Sequence, residues 1–166
     1  MSVFAERVRS LVQYASVMQT PADFYRYARL RFRYRGGSSG TPPASIRLRS
    51  LGGASVICRA SQDVFTFKHT FLVGFHLPPI DLPPNATIVD LGSNVGFTVA
   101  DLAYRYPAAR ILGVEMDERN VTLARTNTAR YGERVAIVHA AVWTHDGVVR
   151  YTGEADDAFR VETPDT

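Results

Sequence analysis

The sequence predicts an α/β protein built on a parallel, doubly wound sheet. Three observations carry that expectation. Apolar strand-length runs at Thr87–Leu91, Arg110–Glu115 and Val135–His139 alternate with helix-period segments at Val95–Tyr106 and Glu118–Tyr131, the β-α-β-α-β order of such a sheet. The links between them are short, as in compact crossover units. A glycine turn, Asp90-Leu91-Gly92-Ser93-Asn94-Val95-Gly96, joins the first run to its helix.

The elements follow in chain order. Val3, Phe4, Val8, Leu11, Val12 and Ala15 recur at helical spacing and predict a helix over Ser2–Gln19. Thr20 before Pro21 is a start signal, a capping hydroxyl ahead of proline at the first helical position. The helix it opens runs through Phe24, Tyr25, Tyr27 and Ala28. Beyond Arg29 the pattern supports two readings, because arginines at 29, 31, 33 and 35 alternate with Leu30, Phe32 and Tyr34 in a strand-like period of two. Gly36–Ala44 reads as a flexible connector. Ile46, Leu48 and Ala54–Cys58 predict a hairpin around Gly52-Gly53. Ser61-Gln62-Asp63 is a candidate cap for a short helix reaching Leu72. Leu77–Pro84, with four prolines, is a stiff loop that cannot be helical inside. From Ala86 the chain changes character, and Thr87–Leu91 reads as a buried strand. After Asp146-Gly147 a further short strand is expected over Val148–Tyr151, and the tail from Thr152 to Thr166 is acidic and weakly patterned.

Composition bounds the answer. With 166 residues, 46% of them apolar, the chain has room for one domain with a real core, and disorder is excluded for most of it. The apolar runs are far too short for a membrane span. Cys58 is the single cysteine, which excludes an intrachain disulfide and a multi-cysteine zinc site and suits a reducing, cytoplasmic location. Glu6, Arg7 and Arg9 stand where a signal peptide needs its apolar stretch. The net charge of +3 divides unevenly: residues 1–84 carry +7 and residues 85–166 carry −4. Of the 19 cations, 18 are arginine, so arginine content alone says little about phosphate binding.

The glycine turn carries the chemistry. Gly92 lets the chain leave the strand and a ligand approach the backbone, and Gly96 lets the following helix pack closely. The helix N-terminus would turn its free N–H groups toward the ligand. Dinucleotide sites use G-x-G-x-x-G, with pyrophosphate on the helix N-terminus. Here the spacing is G-x-x-x-G and Asp90 precedes it. That carboxylate repels a pyrophosphate but suits a ligand with a cationic amino group, such as S-adenosylmethionine. Glu115 ends the next strand, where an acidic residue accepts hydrogen bonds from ribose hydroxyls. Both carboxylates then lie at adjacent strand ends, where open α/β sheets bind ligands.

The segments from Ile88 to Phe97, Val114 to Asn120 and His139 to Gly147 resemble the FkbM-type family of S-adenosylmethionine-dependent methyltransferases, over roughly Arg59–Tyr151 on the reading of these motifs. The resemblance implies a Rossmann-like methyltransferase fold, with O-methyl transfer to a hydroxyl of a sugar, lipid or secondary metabolite. It matches Asp90, Gly92, Ser93, Asn94 and Gly96 to the family's cofactor loop, Glu115 and Met116 to its ribose and adenine strand end, and Ala141 and Val142 to the region near the adenine. It further implies residues 1–84 as a helical and hairpin extension and residues 85–166 as the first half of the cofactor-binding domain. Strands one to three of a seven-stranded sheet are then present, and the chain reads as a fragment or as one half of a sheet completed by another chain.

Competing readings stand beside this one. Asp90 could simply cap the helix, Glu115 could be a solvated strand end, and Met116 could be local packing. None of His69, His76, His139 and His145 is assigned a catalytic role, no pair of them has metal-ligand spacing, and Ser61 and Ser93 lack a base partner. The aromatic and arginine-rich stretch from Phe24 to Arg35 offers a surface for acidic lipid or nucleic acid, but the preferred reading is a solvated face over a core-facing one. No Asn-Pro-Pro-Tyr-like segment occurs, so nucleic acid is not expected as a partner; the expected partners are a small-molecule or glycan acceptor, with a complementing chain or a second copy. An inactive cofactor-binding module and an NAD-linked oxidoreductase are the alternative functions.

Overall fold

The computed structural model describes residues 12–37, 40–144, 147, 150–152 and 160–162. Residues 12–17 are helical; the rest of the helix expected over Ser2–Gln19 up to residue 11 lies outside the described residues. Helix α1 spans Pro21–Arg35. The Thr20 hydroxyl accepts the Asp23 N–H at 3.3 Å, and Pro21 supplies a preset φ where no intrahelical donor is needed. Helical period wins over strand period beyond Arg29 for a packing reason. A strand would place Leu30, Phe32 and Tyr34 on one face, whereas here Leu30 is fully buried and Phe32 is 76% exposed.

Strands β1 (Ala44–Arg47) and β2 (Ser55–Cys58) form the expected antiparallel hairpin, with Ile46 opposite Val56. Gly52 ends the intervening 3₁₀ turn in the left-handed region. Helix α2 (Asp63–Lys68) continues into a π-turn over His69–Val73. Gln62 holds the N-cap position without a side-chain cap bond, and the Ser61 hydroxyl, one residue earlier, accepts the Asp63 N–H at 3.2 Å.

Strands β3 (Thr87–Leu91), β4 (Arg110–Glu115) and β5 (Val135–His139) form one parallel sheet in the order β3-β4-β5. The crossovers are α3 (Phe97–Arg105) and α4 (Glu118–Thr128), the latter followed by a 3₁₀ stretch to Arg134. A two-stranded antiparallel pair, β6 (Arg150–Thr152) and β7 (Arg160–Glu162), follows. β6 lies near the expected short strand, and β7 falls in the tail where no element was expected.

Register assigns the sheet's two faces. Ile88, Ile111 and Ile137 project to the side where Val99, Leu102 and Ala103 of α3 and Val121 and Ala124 of α4 cover them. The opposite face carries Val89, Leu91 and Val138, which are 52%, 62% and 42% exposed. The expectation of a buried β3 therefore holds for one face only. Its residues are apolar on both faces, as in parallel strands covered twice, yet both crossover helices lie on the same side.

A second core joins the N-terminal elements to α3. Phe67 stacks on Tyr27 at 4.6 Å between centroids and meets the edge of Phe97 at 5.7 Å. Asn127 of α4 ties the hairpin to the sheet, bonding the Ile57 N–H at 2.7 Å, the Ile57 carbonyl at 3.2 Å and the Val95 carbonyl at 2.9 Å.

Candidate functional site at the ends of β3 and β4

The loop from β3 to α3 is shaped by two glycines and one asparagine with positive φ: Gly92 at 85°, Asn94 at 48° and Gly96 at 79°. Gly92 faces open space, since a Cβ built there meets nothing within 4 Å. Gly96 is a packing glycine: a Cβ would stand 3.0 Å from the Cα and 3.2 Å from the carbonyl oxygen of Ala124. The two roles expected of these glycines are the ones the backbone requires.

The loop's N–H groups are directed inward. Those of Gly92 and Ser93 both reach the Val114 carbonyl at 2.9 Å, and that of Asn94 reaches Glu115 Oε2 at 2.9 Å. The expectation that free N–H groups here face a ligand is corrected for these three residues, because the end of β4 already accepts them. What the loop leaves unmatched is acceptor and hydroxyl capacity. Ser93 Oγ and Asn94 Oδ1 are buried without a partner among the described residues, an arrangement that costs free energy unless a donor arrives.

Asp90 and Glu115 lie on the same face of the sheet, since Asp90 is in register with Gly113 and Glu115 is two residues further on. Glu115 is 7% exposed and in no ion pair among the described residues. Its Oε1 accepts the Asp117 N–H at 2.8 Å while Oε2 holds Asn94. An ionised carboxylate has about four lone-pair sites, so each oxygen can take a further donor. Asp90 is half-buried and accepts the Thr98 hydroxyl on Oδ2. Asp117 caps α4, accepting the Asn120 N–H at 3.0 Å. Burial opposes ionisation of Asp117, but this bond and Arg119 outweigh it and hold the carboxyl below its usual range.

Asp90 also lines a cleft of about 360 Å³ along the free edge of β3, with Thr98 and Leu102 of α3 and His76, Pro78 and Leu82 of the preceding loop. Glu115 is not part of that lining. On the cleft's wall, His76 Nε2 lies 3.0 Å from Asp101 Oδ2, which Arg105 Nε also approaches at 2.6 Å.

The remaining expected residues lie around the strand ends. The Met116 carbonyl bonds His139 Nε2 at 2.9 Å, and Ala141 and the exposed Val142 follow β5. Sequence reasoning missed Thr98 and Gly113. A Cβ at Gly113 would fall 2.9 Å from Ser93 Oγ and 2.7 Å from Ile137 Cδ1, so this glycine makes room for the loop. A glycine inside an apolar strand was the available signal. Among the described residues, no group of three or more His, Cys, Asp or Glu is placed to hold a metal, and no helix is long and apolar enough to cross a membrane.

The glycine turn and the two acidic residues lie at adjacent strand ends of an α/β sheet, the place where open sheets of this kind bind ligands. Residues 61–145, over half of the chain, match the family model described as histone methylation protein DOT1, and the chain belongs to that family. This is a methylation family, as the motifs lead one to expect. A curated relative, ribosomal RNA small subunit methyltransferase H of Leifsonia xyli subsp. xyli, is 33% identical over 72 residues. That match takes in 43% of this chain and 21% of the relative, so the chain spans about a fifth of the relative's length. Among solved structures, coclaurine N-methyltransferase bound to N-methylheliamine and SAH aligns at TM-score 0.36 and 14% identity, covering 86% of this chain and 42% of that one. The N-terminal domain of human METTL16 in complex with SAH aligns at TM-score 0.35 and 12% identity, covering 86% and 56%.

Proposed function

We propose that the chain binds S-adenosylmethionine across the ends of β3 and β4 and serves methyl transfer. The observation that carries this reading is the placement of Asp90 and Glu115 on one sheet face, at adjacent strand ends, around the Gly92–Gly96 turn. Membership of a methylation family supports it.

The site's acceptors fit the ligand. Two carboxylates and the orphaned Asn94 Oδ1 call for a guest rich in hydrogen-bond donors, and an amino-acid end and a ribose diol supply them. The same groups disfavour a pyrophosphate. Asp90 would hold the amino group, Glu115 the ribose hydroxyls, and open space above Gly92 would admit the ligand to the backbone. Ser93 and Gly96 set the turn, and Met116, Ala141 and Val142 flank the adenine side. When bound, the sulfonium supplies an activated methyl group. The chain's contribution is to orient it, and alignment is most of what an in-line displacement needs.

For the acceptor, the FkbM-type motifs support a hydroxyl of a sugar, lipid or secondary metabolite. A second reading has its own observation. Val89 and Leu91 lie bare on the open sheet face, which favours a module that binds the cofactor and turns over only when a complementing chain or second copy covers that face.

A thermal-shift titration tests the binding claim. S-adenosylhomocysteine is expected to raise the melting temperature with concentration, and NADH to leave it unchanged. Protection by NADH without protection by S-adenosylhomocysteine would replace this reading with the oxidoreductase one.

A further inference from the structure

Helix α1 carries a surface that the cofactor reading does not use. Its inward side holds Asp23, Tyr27 and Leu30, all buried. At 3.6 residues per turn, Tyr25, Arg26, Arg29, Phe32 and Arg33 fall within an outward arc of about 120°. Tyr25 is 69% exposed and Phe32 76%. Such rings on a helix that already buries its other face have no core to fill.

Beside this arc lies a cleft of about 460 Å³, lined by Arg26 and Arg29 of α1, by Ser45 and Arg47 of β1 and by Ser55 of β2. Asp23, fully buried and outside the cleft's lining, organises two of the cations. Its Oδ1 lies 2.8 Å from Arg26, and its Oδ2 lies 3.3 Å from Arg47 and accepts the Thr20 hydroxyl at 2.5 Å. Arg29 and Arg33 have no carboxylate partner among the described residues. The cleft's lining thus holds three arginines and two serines and no carboxylate. Arginine abundance accounts for the residue type but not for this convergence, nor for two exposed rings beside it.

We propose that this face of α1 and the β1–β2 hairpin binds single-stranded nucleic acid, the cleft taking phosphates and Tyr25 and Phe32 stacking on unpaired bases. Charge complementarity selects a polyanion, and rings interleaved with guanidinium groups are the pattern that grips single strands with little sequence preference. The site runs against two expectations, that no nucleic acid is a partner and that the stretch from Phe24 to Arg35 is only a solvated face over a core-facing one; the convergence of Arg26, Arg29 and Arg47 on one cleft is what the linear pattern did not show.

Fluorescence anisotropy of the full chain with labelled oligouridylate tests this, with oligothymidylate, a duplex of equal length and phosphatidylserine vesicles as the other arms. Both single strands are expected to bind at low salt, and the two arms show whether RNA or DNA is preferred. The R29A/R33A pair should weaken binding and reduce the slope of log affinity against log salt by roughly 1.4, at about 0.7 per phosphate contact on a single strand. The Y25A/F32A pair should weaken binding by at least about fivefold per ring while circular dichroism stays unchanged, since neither ring is in the core. D90A/E115A should bind oligouridylate like the native chain, which separates this proposal from the cofactor reading. The proposal is overturned if the single strands fail to bind, if R29A/R33A leaves affinity and salt slope intact, or if the duplex binds equally well and Y25A/F32A costs nothing. Binding to the vesicles but not to the oligonucleotides would equally overturn it, in favour of a membrane surface.

Discussion

A methyl group added at Gly96 has nowhere to go, whereas the same group at Gly92 meets open space. Both residues have positive φ, 79° and 85°, so each Gly→Ala change carries a backbone cost of about 1–2 kcal/mol. At Gly96 the new Cβ would also stand 3.0 Å from the Ala124 Cα and 3.2 Å from its carbonyl oxygen. Those are helix backbone atoms that cannot swing aside as a side chain end could. Overpacking of this kind adds about 1–3 kcal/mol, bringing Gly96→Ala to roughly 2–5 kcal/mol against about 1–2 for Gly92→Ala. With a urea dependence of about 2 kcal/mol per molar, the midpoints should fall by about 1–2.5 M and 0.5–1 M. Urea titration followed by circular dichroism measures both. Gly92→Ala is in turn the variant expected to lose S-adenosylhomocysteine, because it fills space the ligand would use. Equal losses of stability would refute the division into a packing glycine and a clearance glycine.

Three further outcomes follow from buried polar groups. Arg59→Ala strips the paired guanidinium from Asp63, whose side chain is 1% exposed and which it meets at 2.8 Å through two nitrogens; an uncompensated buried charge should cost about 3–5 kcal/mol in urea titration, and a loss below 1 kcal/mol would contradict the buried pair. Asn127→Ala leaves the Ile57 N–H without its partner at 2.7 Å and should cost about 1–3 kcal/mol, with faster hydrogen exchange at Ile57 as the local readout. Asp23 gives a pH dependence of known sign. Burial would raise its carboxyl, but bonds from Thr20 and Arg47 and the Arg47 charge outweigh that and hold it below 3.8. Its contribution is therefore present above the ordinary carboxylate range and lost as pH falls through the lowered value. Asp23→Asn should flatten the acid limb of melting temperature against pH, and an unchanged limb would count against the assignment.

The parallel sheet was legible because apolar runs of strand length and helical segments alternate cleanly. Both ends of β4 and β5 fall at the expected residues. Beyond Arg29 two periods fitted the same residues, and only packing against α2 and the hairpin selects the helix. The candidate site was legible at Asp90, Gly92, Gly96 and Glu115, whose types and spacing follow from local turn geometry and strand ends. Its wiring was not. Asn94 N–H on Glu115, two amides on the Val114 carbonyl, and the clearance that Gly113 gives Ser93 all join residues about 20 apart. Such pairs depend on register between β3 and β4, which a linear pattern does not state. The bare face of β3 was equally hidden, because Val89 and Leu91 read as core whether or not anything covers them.

The central claim is that Asp90 and Glu115 grip different parts of one nucleoside. Calorimetric titration of the native chain, Asp90→Asn and Glu115→Gln with S-adenosylhomocysteine and with adenosine tests it most directly. Each lost charged hydrogen bond is worth about 1.5–3 kcal/mol, or roughly tenfold or more in affinity. The account expects Asp90→Asn to weaken S-adenosylhomocysteine while sparing adenosine, and Glu115→Gln to weaken both. Native affinity for S-adenosylhomocysteine in both variants would contradict it.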